Sequence, residues 1–424
     1  MKILISTAVY YPQINGVAVF SHNLASGLAR RGHEVMVICP SQTGKSHELV
    51  ADGVRVVYLK SVEAKIYPDQ IHSISERKKI AGLRVPRLLY KHGFRVSVFP
   101  AREVKRILNE FRPDVVHVQV SDPIGLSVVG WARRTGVPVV TTEHNQPDVI
   151  TDPLRMPRLL KKPANALLAA YFRNHQSKSD FVTMPTEKAI RDLLGRGEEF
   201  AVPVAAVSNG VDLSAFRPGK AEEGIYNKYD LPHDVPIVLY VGRVDPEKRV
   251  ELVLKAAKEA RSAIPKKQGW KDKINVVIVG DGVDKARLER LYGNEPWVHF
   301  TGRVMGEDLM ELYKVGWVFA TASPIETQGI VLIEAAASGL PLIAVDAGAV
   351  SEVCVNGLNG YLCEPGSVSE IADAIAKLMS DDELRRKFAR KSVEIAREHD
   401  FERTLDKFIN IYERVAKVGR GKEI

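Results

Sequence analysis

Residues 323–345 read SPIETQGIVLIEAAASGLPLIAV. The run Ile330 to Ala337 (IVLIEAAA) has the apolar content of a buried helix, and Gly339 and Pro341 stop it. The PLIAV that follows is a short apolar run of the kind that forms a buried strand. Glu326 and Glu334 stand eight residues apart, Glu334 on the helix and Glu326 in the loop before it, beside Thr327, Gln328 and Gly329. A loop that feeds a helix start aims N–H groups and the positive helix end at one place, which suits an anion. Two glutamates at this spacing would alone be an ordinary solvated pair. Gly329 and the small residues Ala335-Ala336-Ala337-Ser338-Gly339 favour a ligand site, because they let backbone and ligand approach closely.

Outward from this stretch, strand and helix patterns alternate along the chain, the pattern of parallel sheets with crossover helices. The first series is KILIST, EVMVIC, VRVVYL, DVVHVQV, PVVTTEH and FVTMP; the second is IVLYVGR, INVVIVGDG, WVHFTG, WVFATAS and PLIAVD. Between them SNGVDLSAFRPG, with Asn209-Gly210 and Pro218-Gly219, reads as a linker. A chain of 424 residues exceeds one ordinary core, so two α/β domains are expected. We place them at 1–207 and 208–402, with a last helix over about 403–424 packing back on the first.

The charge divides unevenly. Residues 1–212 carry 29 Lys+Arg against 19 Asp+Glu, net +10, and the remainder 31 against 33, net −2. Much of the surplus lies between Arg77 and Arg112 and between Arg155 and Lys178. In the second stretch Arg158, Lys161 and Lys162 are interleaved with Leu159, Leu160, Leu167, Leu168, Tyr171 and Phe172, a pattern that suits either insertion at a membrane interface or an ordinary core helix with a solvated face. No aromatic-interleaved basic patch or nucleic-acid motif accompanies the charge, so nucleic acid is not expected as a partner. Cys39, Cys354 and Cys363 are few, odd in number and scattered, which argues against a disulfide framework or zinc site and fits a reducing cytoplasm. No apolar run is long enough to span a bilayer, and the opening MKILISTAVYYP reads as a strand rather than a signal peptide.

Two common nucleotide motifs fail. The loop after KILIST holds one glycine where a dinucleotide fingerprint needs three, and Lys285 stands where Gly280-Asp281-Gly282 would need its third. Gly44-Lys45-Ser46 lacks the first glycine of a P-loop. No Asp-x-Asp occurs, which disfavours a transferase that presents such a pair to Mg or Mn. In YVGRVDPEKRV, Arg243 and Lys248 follow a buried strand, where α/β sheets bind ligands, and two cations there can stabilise a departing diphosphate. Glu334 can accept both ribose hydroxyls of a nucleotide and Glu326 can hold sugar hydroxyls. Gly280, Asp281, Gly302, Arg303 and Val304 end the next two strands, where backbone groups can pair with a base edge. His144 of TTEHN, with Glu143 and Asn145, sits at a strand end in the first half.

These pieces together resemble the family-4 retaining glycosyltransferases of the GT-B fold. They are Glu326-x7-Glu334, Gly242-Arg243 with Lys248, Val279-Gly280-Asp281-Gly282, Asn209-Gly210-Val211-Asp212 and Asn15-Gly16-Val17, in the family's order and across nearly the whole chain. The resemblance implies two Rossmann-like doubly wound domains facing a central cleft, with nucleotide-sugar bound by the second. It implies that Arg243 and Lys248 hold the donor diphosphate, Glu334 the ribose and Glu326 the transferred sugar, that His144 faces that sugar, and that Gly16 approaches the phosphate, with Asn15 in the donor-binding loop where many members have a glycine. Thr327, Gln328, Gly329 and Ile330 belong to the same donor-binding loop.

Retention is expected by front-side displacement, with the leaving diphosphate taking the acceptor proton and no metal or other cofactor. The Glu326-Thr327-Gln328-Gly329 wording and the Asn15-Gly16-Val17 loop look like members that glycosylate diacylglycerol or other membrane lipids. The expected reaction is glucose transfer from UDP-glucose to such a lipid, in glycolipid biosynthesis, by a cytoplasmic protein held peripherally on the anionic inner face of the cell membrane. A GDP-mannose-dependent mannosyltransferase and, in another class, a non-catalytic sugar-nucleotide sensor remain the alternatives.

Overall fold

The apolar runs KILIS and EVMVICP pair as the first two strands of a sheet, parallel and in register from Lys2 opposite Glu34 to Ser6 opposite Ile38. The computed structural model describes residues 1–13, 15–63, 79–80, 83–84, 95–144, 151, 157–195, 199–264 and 273–420. Of the basic stretch Arg77 to Arg112, most of residues 77–94 therefore lie outside the described residues, as do Asn145 and Arg155. The chain divides into two units, residues 1–208 with 404–424 and residues 209–403.

The first unit is built on an eight-stranded sheet. Its strands are β1 (Lys2–Ser6), β2 (Glu34–Pro40), β3 (His47–Ala51), β4 (Val54–Leu59), β5 (Val115–Val118), β6 (Val139–Thr142), β7 (Phe181–Met184) and β8 (Val204–Ala206), in the order β8-β7-β6-β5-β1-β2-β4-β3. β1, β2, β4, β5, β6 and β7 are buried on both faces, which is why they read as continuous apolar runs rather than as alternating ones. Among the described residues up to 208, this unit holds α1 (Gly16–Arg30), α2 (Ala101–Phe111), α3 (Pro123–Thr135), α4 (Arg158–Gln176) and α5 (Glu187–Gly195).

The second unit holds β9 (Ile237–Val241), β10 (Asn275–Val279), β11 (Val298–Gly302), β12 (Val318–Ala320), β13 (Leu342–Val345) and β14 (Gly360–Cys363), all parallel, in the order β11-β10-β9-β12-β13-β14. Its helices are α6 (Glu223–Tyr229), α7 (Val250–Ala263), α8 (Lys285–Tyr292), α9 (Glu307–Val315), α10 (Ile330–Ala337), α11 (Val368–Ser380) and α12 (Asp382–Ala396). Both sheets reverse their strand order once, at β1/β5 and at β9/β12, and the crevice outside the carboxyl ends of such strands is where doubly wound sheets take ligands.

The last helix, α13 (Phe401–Arg420), belongs to the first unit from residue 404 onward. Its Phe408 ring packs 5.9 Å from that of Phe20, and Thr404 donates to the Ser208 carbonyl at 2.9 Å. Three strands of the two large sheets are not among the runs read from the sequence. β3 is antiparallel to β4 and mostly exposed, so its residues HELVA carry little apolar signal. β8 is three residues long, and β14 begins on a glycine.

Candidate functional site

In the second unit the site begins with backbone. Gly242 and Gly280 end β9 and β10 with φ of 151° each, and a Cβ on Gly280 would lie 1.8 Å from the Gly242 carbonyl oxygen. Only glycine permits that approach. The Gly242 N–H donates to Val279 O at 3.0 Å, the Gly280 N–H to Gly302 O at 2.8 Å, and the Val244 N–H to Asp281 O at 3.0 Å. Three strand ends are thus tied together, and the Gly280 N–H is committed within the protein. The Asp281 side chain accepts the Gly282 N–H at 2.9 Å, which makes it a turn residue. Val304 is buried, so its side chain serves the core, and burial lowers the pKa of Arg303.

Arg243 leaves this platform and pairs with Asp245 and Glu247. Lys248, on the short turn after them, donates to Glu326 Oε1 at 2.7 Å, Ile325 O at 3.2 Å and Ser323 Oγ at 3.3 Å. Two of the residues singled out from sequence, 78 positions apart, therefore meet as a mostly buried ion pair. The Glu326 backbone is fixed from the other side. Its carbonyl accepts the Ala349 N–H at 3.1 Å, and a Cβ on Gly348, whose φ is +57°, would fall 2.3 Å from that oxygen.

The loop then passes Thr327, partly buried, and Gln328, which is buried and accepts the Asn209 N–H at 3.1 Å. Gly329, at φ +73°, turns the chain into α10. Ile330 opens that helix, so the loop before it faces the N–H end. Glu334 lies one turn further on and accepts the Tyr313 hydroxyl at 2.6 Å. Burial pushes its carboxyl up to about 7, partly offset by the Tyr313 bond.

In the first unit Asn15 caps α1, its side chain accepting the Ala18 N–H at 2.9 Å, and Gly16 is the exposed first residue of that helix. His144 follows β6 and is buried. Its Nε2 lies 2.6 Å from Gln119 Oε1 and its ring stands edge-on to Phe20 at 5.4 Å. An amide oxygen only accepts, so Nε2 carries the proton and Nδ1 keeps a lone pair. Burial lowers the ring pKa to about 4, so it is neutral at pH 7. Behind it, His117 bonds Tyr412 of α13 through Nδ1 and Thr142 through Nε2, both at 2.6 Å. Gln119, His117, Tyr313 and Gly348 were not singled out from sequence. Each works through a partner distant in the chain, so no local pattern marks it.

Among the described residues no group of three or more His, Cys, Asp or Glu side chains could hold a metal ion. No helix among them is long and apolar enough to cross a membrane.

Two Rossmann-like units, the second with cations and carboxylates gathered at its strand ends, are the parts of a GT-B glycosyltransferase. The family described as "Glycosyltransferase Family 4" matches residues 14–215 and that described as "Glycosyl transferases group 1" matches residues 222–394. A GDP-mannose-dependent alpha-mannosyltransferase of Mycobacterium tuberculosis is 30% identical over 398 residues, 93% of this chain and 92% of the relative. An alpha-monoglucosyldiacylglycerol synthase of Acholeplasma laidlawii is 27% identical over 357 residues, 81% of this chain and 80% of the relative. The solved sucrose-phosphate synthase of Thermosynechococcus elongatus has the same fold, with TM-score 0.73 at 19% identity over 98% of this chain and 99% of that one. The chain belongs to the family-4 glycosyltransferases: it is a hexosyltransferase that moves sugar from a nucleotide-sugar.

Proposed function

We propose that this enzyme transfers glucose from UDP-glucose to a hydroxyl of a membrane lipid such as diacylglycerol, with retention of anomeric configuration and without a metal. On this reading Glu334 holds the ribose and Glu326 the sugar. A diphosphate exchanges with the carboxylates now on Arg243 and Lys248, and these cations, with the N-terminal end of α10, take the charge of the leaving group. They supply the neutralisation a divalent ion would otherwise provide. The leaving diphosphate accepts the proton of the attacking hydroxyl. Neutral His144 offers its Nδ1 lone pair to a sugar hydroxyl.

The observation that carries the lipid acceptor is the outer face of α4. Leu159 is 90% exposed, Leu160 56% and Leu167 73%. At 100° per residue these three share one face with Pro163, Ala166 and Ala170, which are also exposed. Leu168 and Tyr171 are only partly exposed and Phe172 is buried, so the other side of the same helix serves the core. Full burial of a leucine is worth roughly 1.5–3 kcal/mol, and this face forgoes much of it in water. Exposed Lys162 beside it and the net +10 of residues 1–212 suit an anionic bilayer, which favours a peripheral place on the membrane. The lipid-glucosylating relative supports the same reading.

A second reading, with GDP-mannose as donor, is favoured by the mannosyltransferase relative, which aligns over 93% of the chain. Purified enzyme incubated with UDP-glucose or GDP-mannose, liposomes of diacylglycerol and anionic phospholipid, and EDTA distinguishes the two. Glucosyl-lipid from UDP-glucose is expected. Product from GDP-mannose alone would shift the assignment to the second reading, no lipid product with either donor would end the lipid claim, and a strict need for divalent metal would remove the metal-free mechanism. Glu326→Ala should abolish transfer and keep nucleotide affinity; a sensor would have no transfer to lose.

A further inference from the structure

The carboxyl edge of the first sheet carries buried polar atoms that the donor chemistry does not use. After β5 the chain runs Gln119-Val120-Ser121-Asp122 into α3, beside the β1/β5 reversal point. Asp122 is 8% exposed, and its Oδ1 caps α3 by accepting the Gly125 N–H at 2.7 Å. Its Oδ2 is buried and has no hydrogen-bond partner, and the neighbouring Ser121 Oγ is in the same condition. The Ser121 carbonyl accepts the hydroxyl of Tyr171 on α4 at 2.7 Å, and that hydroxyl lies in the field of both Asp122 and Glu143. Groups from the ends of β5 and β6 and from α4 therefore converge here.

Capping alone does not explain the aspartate. Serine or asparagine caps a helix about as well, without burying a charge. The cost is visible: burial pushes the Asp122 carboxyl up to about 6 against the pull of backbone N–H groups at Gly125 and Ile124. A carboxylate oxygen without a donor, beside a hydroxyl without a partner, matches an alcohol group, which donates to the first and accepts from the second. With Asp122 and Glu143 both acidic, an anionic ligand group would be repelled.

Resting on the proposed transfer reaction, we infer that Asp122 and Ser121 form the subsite that binds the neutral hydroxyl group of the acceptor. The hydroxyl can come from a lipid or from a soluble polyol. The test compares wild type and D122N in transfer from UDP-glucose and from GDP-mannose to diacylglycerol liposomes and, in a separate arm, to glycerol in buffer. Asparagine keeps the cap, so D122N folds, and loss of the buried charge raises its Tm. The acceptor KM is expected to rise at least about tenfold, the effect of losing one charged hydrogen bond, while UDP affinity stays as in wild type. Ser121→Ala should move the acceptor KM the same way by less. A rise in the liposome arm assigns the lipid hydroxyl, and a rise in the glycerol arm the polyol. A raised Tm with acceptor KM within twofold of wild type in both arms means a purely structural aspartate and overturns the inference. If wild type forms no product in either arm, it is the proposed reaction that fails. Saturation-transfer NMR with glycerol then decides the subsite: a signal lost in D122N upholds it, and no signal, or one equal in both proteins, overturns it.

Discussion

The charged groups at the strand ends of the second unit are paired, while a cluster of buried polar atoms in the first is not. In the second, Arg243 is held by Asp245 and Glu247, Lys248 by Glu326, and Glu334 by Tyr313. In the first, Asp122 Oδ2, Ser121 Oγ and both ring nitrogens of His175 are buried without hydrogen-bond partners. His175 accommodates this by staying neutral, since burial lowers its pKa to about 4. Asp122 has no such escape at pH 7. A paired site can exchange one anion for another, carboxylate for phosphate, at small net cost. An unpaired buried group costs about 1–3 kcal/mol until something satisfies it, so it persists where a ligand or a buried water meets the need.

The contrast breaks most readily at Lys248. Lys248→Ala removes a cation from the leaving group and leaves Glu326 without its partner, and transfer should fall by roughly 10²–10³-fold. A fall of less than about tenfold in a kcat measurement would mean that the paired site is scaffold rather than donor grip. Next is Glu334→Gln, which should weaken UDP binding about 10–100-fold by loss of a ribose contact, read by calorimetry. The pH dependence sharpens it. Ribose hydroxyls donate to the ionised carboxylate, and burial has raised this group to about 7, so wild-type affinity should climb as pH rises from about 6 to 8 and be flat in the variant. A flat wild-type profile would withdraw the ribose assignment. The smallest expected effect concerns the outer face of α4. Leu159→Asp with Leu167→Asp should reduce sedimentation with anionic liposomes several-fold and leave Tm nearly unchanged, because both side chains already stand in water. A large drop in Tm would show instead that this face is packed.

The fold was legible to the extent that burial is continuous along a strand. Eleven apolar runs read from sequence are strands of the two sheets. β3, exposed at the sheet edge, β8, only three residues long, and β14, opening on glycine, lack that signal. At the candidate site the sequence marks Lys248 and Glu326, which the fold brings together, but not the pairing of Arg243 with Asp245 and Glu247 or of Glu334 with Tyr313. The sequence reading left the role of Asn15 open, and the structure shows its side chain capping α1. The Gly280 N–H is likewise taken by Gly302.

By itself, then, the sequence determined the alternation of strand and helix, the position of the loop from Glu326 to Gly329 before its helix and the charge asymmetry of the halves, because these follow from local pattern and composition. Tertiary structure alone decided which charges meet. Lys248 and Glu326 are paired across 78 residues, Tyr313 reaches Glu334 from another helix, and His117 meets Tyr412 across 295 residues. It also decided which polar groups are left over, Asp122 among them. Hydrogen-bond satisfaction is a property of neighbours in space, and no window of sequence contains them.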